Sequence, residues 1–126
     1  MRNLKAVVLV SMLIFSTSVL FAENKTDVKP VGTWTFVAND APYEYSTGDI
    51  VITKDGKEYV AEIVFSEYYK LKTSDFKIED DKISFKAYVE GEAIYCKGTF
   101  VDKNKIEGKV STSEGTMDFS ATRKKK

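Results

Sequence analysis

From residue 32 to the end, the chain repeats one pattern: a short run rich in Val, Ile, Thr, Tyr and Phe, then a turn. The runs fall at 32–38, 49–53, 58–65, 70–79, 82–90, 93–101, 105–112 and 116–123. Repeats at this spacing mark an all-β sandwich or barrel. Between them stand Asp55-Gly56, Asp80-Asp81, Glu90-Gly91, Asp102-Lys103-Asn104 and Ser113-Glu114-Gly115, each with hairpin chemistry. Tight hairpins make sequence neighbours spatial neighbours, so about eight antiparallel strands are expected in an up-and-down meander. An open sheet would leave two long edges unpaired, and closure into a small barrel removes them.

Alternation at every second residue sorts the faces. Trp34 and Phe36, Ile50 and Ile52, Tyr59 to Phe65, and Ile83 to Val89 place apolar side chains on one face, opposite Thr33, Thr35, Glu62, Ser84, Lys86 and Glu90. The fourth run breaks step. Leu71 and Thr73 differ in parity from Phe76 and Ile78, so a bulge or bend is expected at Ser74-Asp75. Gly98 and Gly108, inside strands, point to sharp coiling or close backbone approach.

The 126 residues leave room for one domain. Ahead of it, Arg2 and Lys5 precede an apolar and small-residue run from Ala6 to Ala22 with no acid before Glu23. This is the order of a secretory signal over 1–22, cleaved after Ala22 or alternatively after Ser18. A membrane anchor is the rival reading; without it, no membrane span is expected once the signal is removed. Residues 23–30 read as a polar tether, 31–123 as the barrel domain and 124–126 as a basic, solvated tail. Asn24-Lys25-Thr26 is a glycosylation sequon that matters only in a eukaryotic secretory pathway. The expected location is exported, periplasmic or secreted. Acids and bases balance at 19 each, and the lone basic run "RKKK" is not the clustered basic face that nucleic acid requires.

Trp34 and Arg123 stand at the two ends of the strand series. Met117, Phe119, Ala121 and Arg123 share parity, which would seat an arginine inside one end of a closed barrel. An unpaired guanidinium there would be costly, and closure brings it against Trp34, over whose ring it can lie. Gly32 would let the backbones approach closely at that seam. Gly32-Thr33-Trp34 in the first strand with Arg123 ending the last resembles the structural signature of lipocalin-like, or calycin, barrels. The stretches "DKISFKAYVEG", "CKGTFVDKNKIEGKV" and "GTMDFSATR" are similar to the small lipocalin-like domains of secreted bacterial proteins, some of which precede hydrolase domains. The resemblance spans roughly residues 31–123. It implies a structural plug formed by Gly32, Trp34 and Arg123 at a closed end, and a loop between the first two strands at an open mouth. The domain is shorter than typical lipocalins, with tight loops.

The composition restricts chemistry sharply. There is no histidine, which removes Ser-His-Asp and Cys-His catalysis and His-ligated zinc or haem. Cys96 is the single cysteine, so an intramolecular disulfide is impossible. A buried free thiol is expected, with a disulfide-linked dimer as the alternative to a monomer. No loop has the ligand spacing of an EF-hand, and neither a metal, a cofactor nor an enzymatic activity is expected. Aromatic content stands out instead. Phe36, Tyr59, Phe65, Phe85, Phe100, Met117 and Phe119 are either plain core or the lining of an apolar pocket. Tyr43 and Tyr45, in the longest connection, suggest a lid or a partner contact, and Tyr68 and Tyr69 add to a neighbouring turn. Three functions follow: a binding module for a small apolar or amphipathic molecule, a protein-binding module or inhibitor of a secreted enzyme, and a structural accessory domain.

Overall fold

The computed structural model describes residues 29–125. The expected signal, residues 23–28 of the expected tether and Lys126 lie outside the described residues. Nine strands run β1 (Gly32–Val37), β2 (Thr47–Asp55), β3 (Glu58–Ser66), β4 (Tyr69–Lys72), β5 (Ser74–Glu79), β6 (Lys82–Val89), β7 (Glu92–Asp102), β8 (Lys105–Thr112) and β9 (Gly115–Arg123). A single turn of 3-10 helix, Tyr43–Tyr45, interrupts the β1–β2 connection. All pairings are antiparallel, in the order β4-β3-β2-β1-β9-β8-β7-β6-β5. First and last strands therefore neighbour each other, and the meander curls into a nearly closed barrel. Among the described residues no helix is long and apolar enough to cross a membrane.

Nine strands replace the expected eight because the run 70–79 is broken. β4 pairs with β3, with Ile63 opposite Leu71, whereas β5 pairs with β6, with Ile78 opposite Ile83. The two pieces act as one bent strand that changes partner midway and spans most of the remaining gap. Thr73 sits at the break, its N–H and hydroxyl both donating to the Ala61 carbonyl at 3.1 and 2.9 Å. Asp75 takes φ 52°, and the β5–β6 register slips between Ser74 and Lys77, so one residue is extra on β5. That bulge is the physical origin of the parity change at Ser74-Asp75.

Alternation holds elsewhere. Phe36, Ile50, Ile52, Ala61, Ile63, Ile83, Phe85, Ala87, Cys96, Phe100, Ile106, Phe119 and Ala121 form the buried core with Trp34 and Ala38. Leu71, Phe76 and Ile78 pack against it, covering the β4–β5 break. Gly98 and Gly108 face each other across β7 and β8. A Cβ on Gly108 would stand 2.6 Å from the Gly98 Cα and 2.8 Å from the Phe119 ring, so two backbones meet where side chains cannot fit.

One end of the barrel is sealed by the first and last strands. Trp34 is 0% exposed and lies opposite Arg123 in the β1–β9 ladder. Its indole N–H donates to the Pro30 carbonyl at 3.0 Å, and its ring meets Phe100 edge-on at 5.6 Å. The Arg123 guanidinium lies 4.3 Å above the indole centroid. It caps the tryptophan at the barrel's end, half-buried, instead of being enclosed in the interior. Its N–H groups donate to the carbonyls of Lys29, Val31 and Lys103 and to the Asn104 side chain. The arginine thus ties the entering chain, the β7–β8 turn and β9 together. Gly32, at φ 144°, leaves space for this, since a Cβ there would meet the guanidinium at 2.9 Å. Lys29 and Pro30, read from the sequence as tether, are part of this seal.

Candidate functional site

Toward the other end the interior is not filled. A cavity of about 280 Å³ opens between the β1–β2 connection, the β6–β7 turn and the β8–β9 turn. Its wall follows from strand alternation: Phe36 from β1, Ile50 from β2, Ile63 and Phe65 from β3, Phe85 from β6, Cys96 from β7, and Met117 and Phe119 from β9 point inward. Backbone polar groups in these strands are taken up by the ladders, so the wall presents mainly carbon. Among the described residues no buried side-chain nitrogen or oxygen lacks a hydrogen-bond partner. No group of three or more His, Cys, Asp and Glu among them is arranged to hold a metal.

The mouth is built differently. A bulge in β3 at Phe65 and the 3-10 turn bring Phe65, Tyr45 and Tyr69 into one aromatic cluster, with centroids 5.1 Å apart for Tyr45–Phe65 and 5.5 Å for Phe65–Tyr69. Phe65 also meets Phe36 edge-on at 5.8 Å, linking this cluster to the cavity wall. The connection carrying Tyr45 is closed on itself, with the Ala38 N–H donating to the Ser46 carbonyl at 2.7 Å. Across the opening stands Glu90, and its carboxylate, with burial, pushes the Tyr45 phenol's pKa up. Glu90 itself sits at φ 53° in the β6–β7 turn. Glu92 and Glu114 complete the polar rim, and the Ser113 N–H donates to Glu92 at 3.4 Å.

The expected pocket residues thus divide by height along the barrel. Phe36, Tyr45, Phe65, Phe85, Met117 and Phe119 line the cavity. Phe100 lies below it against Trp34, and Tyr59 packs on the core outside the cavity, with the Lys54 ammonium 5.0 Å from its ring centroid. Tyr43 is 93% exposed and does not line the cavity. Sequence reading missed the three glutamates, which looked like ordinary turn residues, and the wall contributions of Ile50, Ile63 and Cys96. The aliphatic positions were legible as inward-facing, but nothing local marks where a barrel interior changes from packed to open.

Cys96 is a wall residue, 6% exposed, and burial pushes its thiol pKa up to about 12. At pH 8 the thiol is therefore neutral and a poor nucleophile. Alkylation by iodoacetamide is expected to be at least ~100-fold slower in the native protein than in denaturant. Comparable rates, measured by intact mass, would show that Cys96 is not shielded as described.

No known protein family and no curated protein matches the sequence. Among solved structures, the fold is similar to a redesigned β-barrel at a TM-score of 0.56 and 13% identity, covering 75% of this chain and 91% of that one. A mutant of the fluorescent protein UnaG aligns at a TM-score of 0.46 and 15% identity, over 77% of this chain and 97% of that one. At such identities the likeness concerns the fold alone, and the first of the two agrees with a small antiparallel β-barrel.

Proposed function

We propose that the domain is an exported binding module that holds a small apolar or amphipathic molecule in the barrel and catalyses no reaction. The observation that carries this reading is the cavity of about 280 Å³, walled by Phe, Ile and Met. It lies just below the range of roughly 300–1,000 Å³ usual for ligand pockets and is about twice the ~150 Å³ that accepts benzene. A ligand of one or two rings or a short alkyl chain fits that size. Export is supported by the basic, apolar, small-residue order of residues 1–22.

The test is native mass spectrometry of protein expressed from the full sequence and purified from a periplasmic or secreted fraction without detergent. A releasable mass of a few hundred daltons, absent after denaturation, is the expected result. A clean apo protein that also takes up no added apolar probe would overturn the reading. A second reading, a protein-binding surface, rests on Tyr43 and Tyr68, 93% and 91% exposed beside the Tyr45–Phe65–Tyr69 cluster. It gains if the cavity stays empty and a co-purifying partner is lost on Tyr43→Ser.

A further inference from the structure

The reading of the cavity as a ligand site leaves open which chemistry the ligand's polar end carries, and the mouth addresses this. Glu90, Glu92 and Glu114 are the charged residues lining the cavity, and neither lysine nor arginine joins them. None of the three enters an ion pair among the described residues. The bases gather elsewhere: Lys29, Lys103, Arg123, Lys124 and Lys125 line the groove at the sealed end. Carboxylates thus stand at the entrance, and a basic groove lies at the other end. Aromatic faces stand at the same entrance, with Tyr45 and Phe65 both lining the cavity.

All three glutamates are exposed, so a neutral head group at the mouth leaves them hydrated and gains little from them. A carboxylate or phosphate on the ligand would add repulsion at short range. An ammonium instead gains charge-assisted hydrogen bonds from the glutamates and a cation–π contact from the Tyr45 or Phe65 ring. We infer that the cavity takes a small cationic amphiphile, its hydrocarbon part against Phe36, Phe85 and Met117 and its ammonium group at the Glu90–Glu92–Glu114 mouth. This rests on the carrier reading above and narrows it to amines.

The experiment displaces the neutral fluorophore N-phenyl-1-naphthylamine from the protein, expressed from its full sequence, with octylamine, octanol and octanoate. These three share a chain and differ in head group. Octylamine is expected to compete at a concentration at least ~10-fold below that of octanoate, with octanol between them. In Glu92→Gln/Glu114→Gln the ratio, taken against that variant's own fluorophore affinity, is expected to shrink to about threefold or less. Should the double variant fail to fold by circular dichroism, raising salt from about 0.02 to 0.5 M in the unmodified protein must shrink the same ratio. Equal competition by all three, a preference for octanoate, or a preference insensitive to both the substitutions and salt would overturn the amine assignment and leave the carrier reading standing. No fluorophore signal, together with no heat on direct calorimetric titration with octylamine, would overturn both.

Discussion

Replacing Trp34 by alanine is expected to lower the unfolding free energy by about 3–5 kcal/mol, the range for deleting a fully buried aromatic side chain. For a domain of this size that corresponds to a fall in Tm of at least ~12 °C. The indole is the floor on which Arg123 rests, the edge partner of Phe100 and the donor to Pro30. Its loss opens a cavity and unseats the arginine's contacts to Lys29, Val31, Lys103 and Asn104 together. Arg123→Ala alone is expected to cost about 2–3 kcal/mol, because the group is partly exposed but makes several charge-assisted hydrogen bonds. The two losses should not add. Thermal or urea unfolding of both single variants and the double is expected to show a coupling of about 0.5–2 kcal/mol, the cation–π contact and its shared packing. Strict additivity would mean that the two side chains do not act as one seal.

Gly108→Ala is expected to cost about 3 kcal/mol, at the upper end for overpacking, although it adds one methyl group. The Cβ would collide with the Gly98 Cα and the Lys97 carbonyl of β7 and with the Phe119 ring of β9. Backbone atoms cannot rotate aside, so the sheet must open or the register must shift. Ser111→Ala, exposed on the same strand, should stay within about ±0.5 kcal/mol and provides the control. Equal unfolding midpoints for the two variants would contradict the close β7–β8 crossing.

Much of this architecture is legible residue by residue. Alternation in β1, β2, β3 and β6 assigns the inner face because side chains on a strand point alternately to its two sides, whatever the strand packs against. Asp55-Gly56 and Glu90-Gly91 mark hairpins because their conformations are local. Trp34 and Arg123 are recognisable as partners because closure of a meander must bring its first and last strands together. The parity slip between Leu71 and Phe76 is visible too, although its consequence is not. That a strand breaks there and trades β3 for β6 depends on how much curvature the whole barrel must absorb.

The site is less legible, and for a different reason. Phe85 and Phe100 have the same inward orientation and the same chemistry, yet one lines the cavity and the other packs under Trp34. What separates them is height along the barrel axis, a coordinate set by strand tilt and register across the sheet. Likewise Glu90, Glu92 and Glu114 belong to two turns far apart in sequence, and only closure places them on one rim with Tyr45. Local periodicity and turn chemistry determined the strands and their inner faces. The cavity, its acidic mouth and the broken strand were decided by the tertiary structure, because each depends on distances between segments that share no local signal.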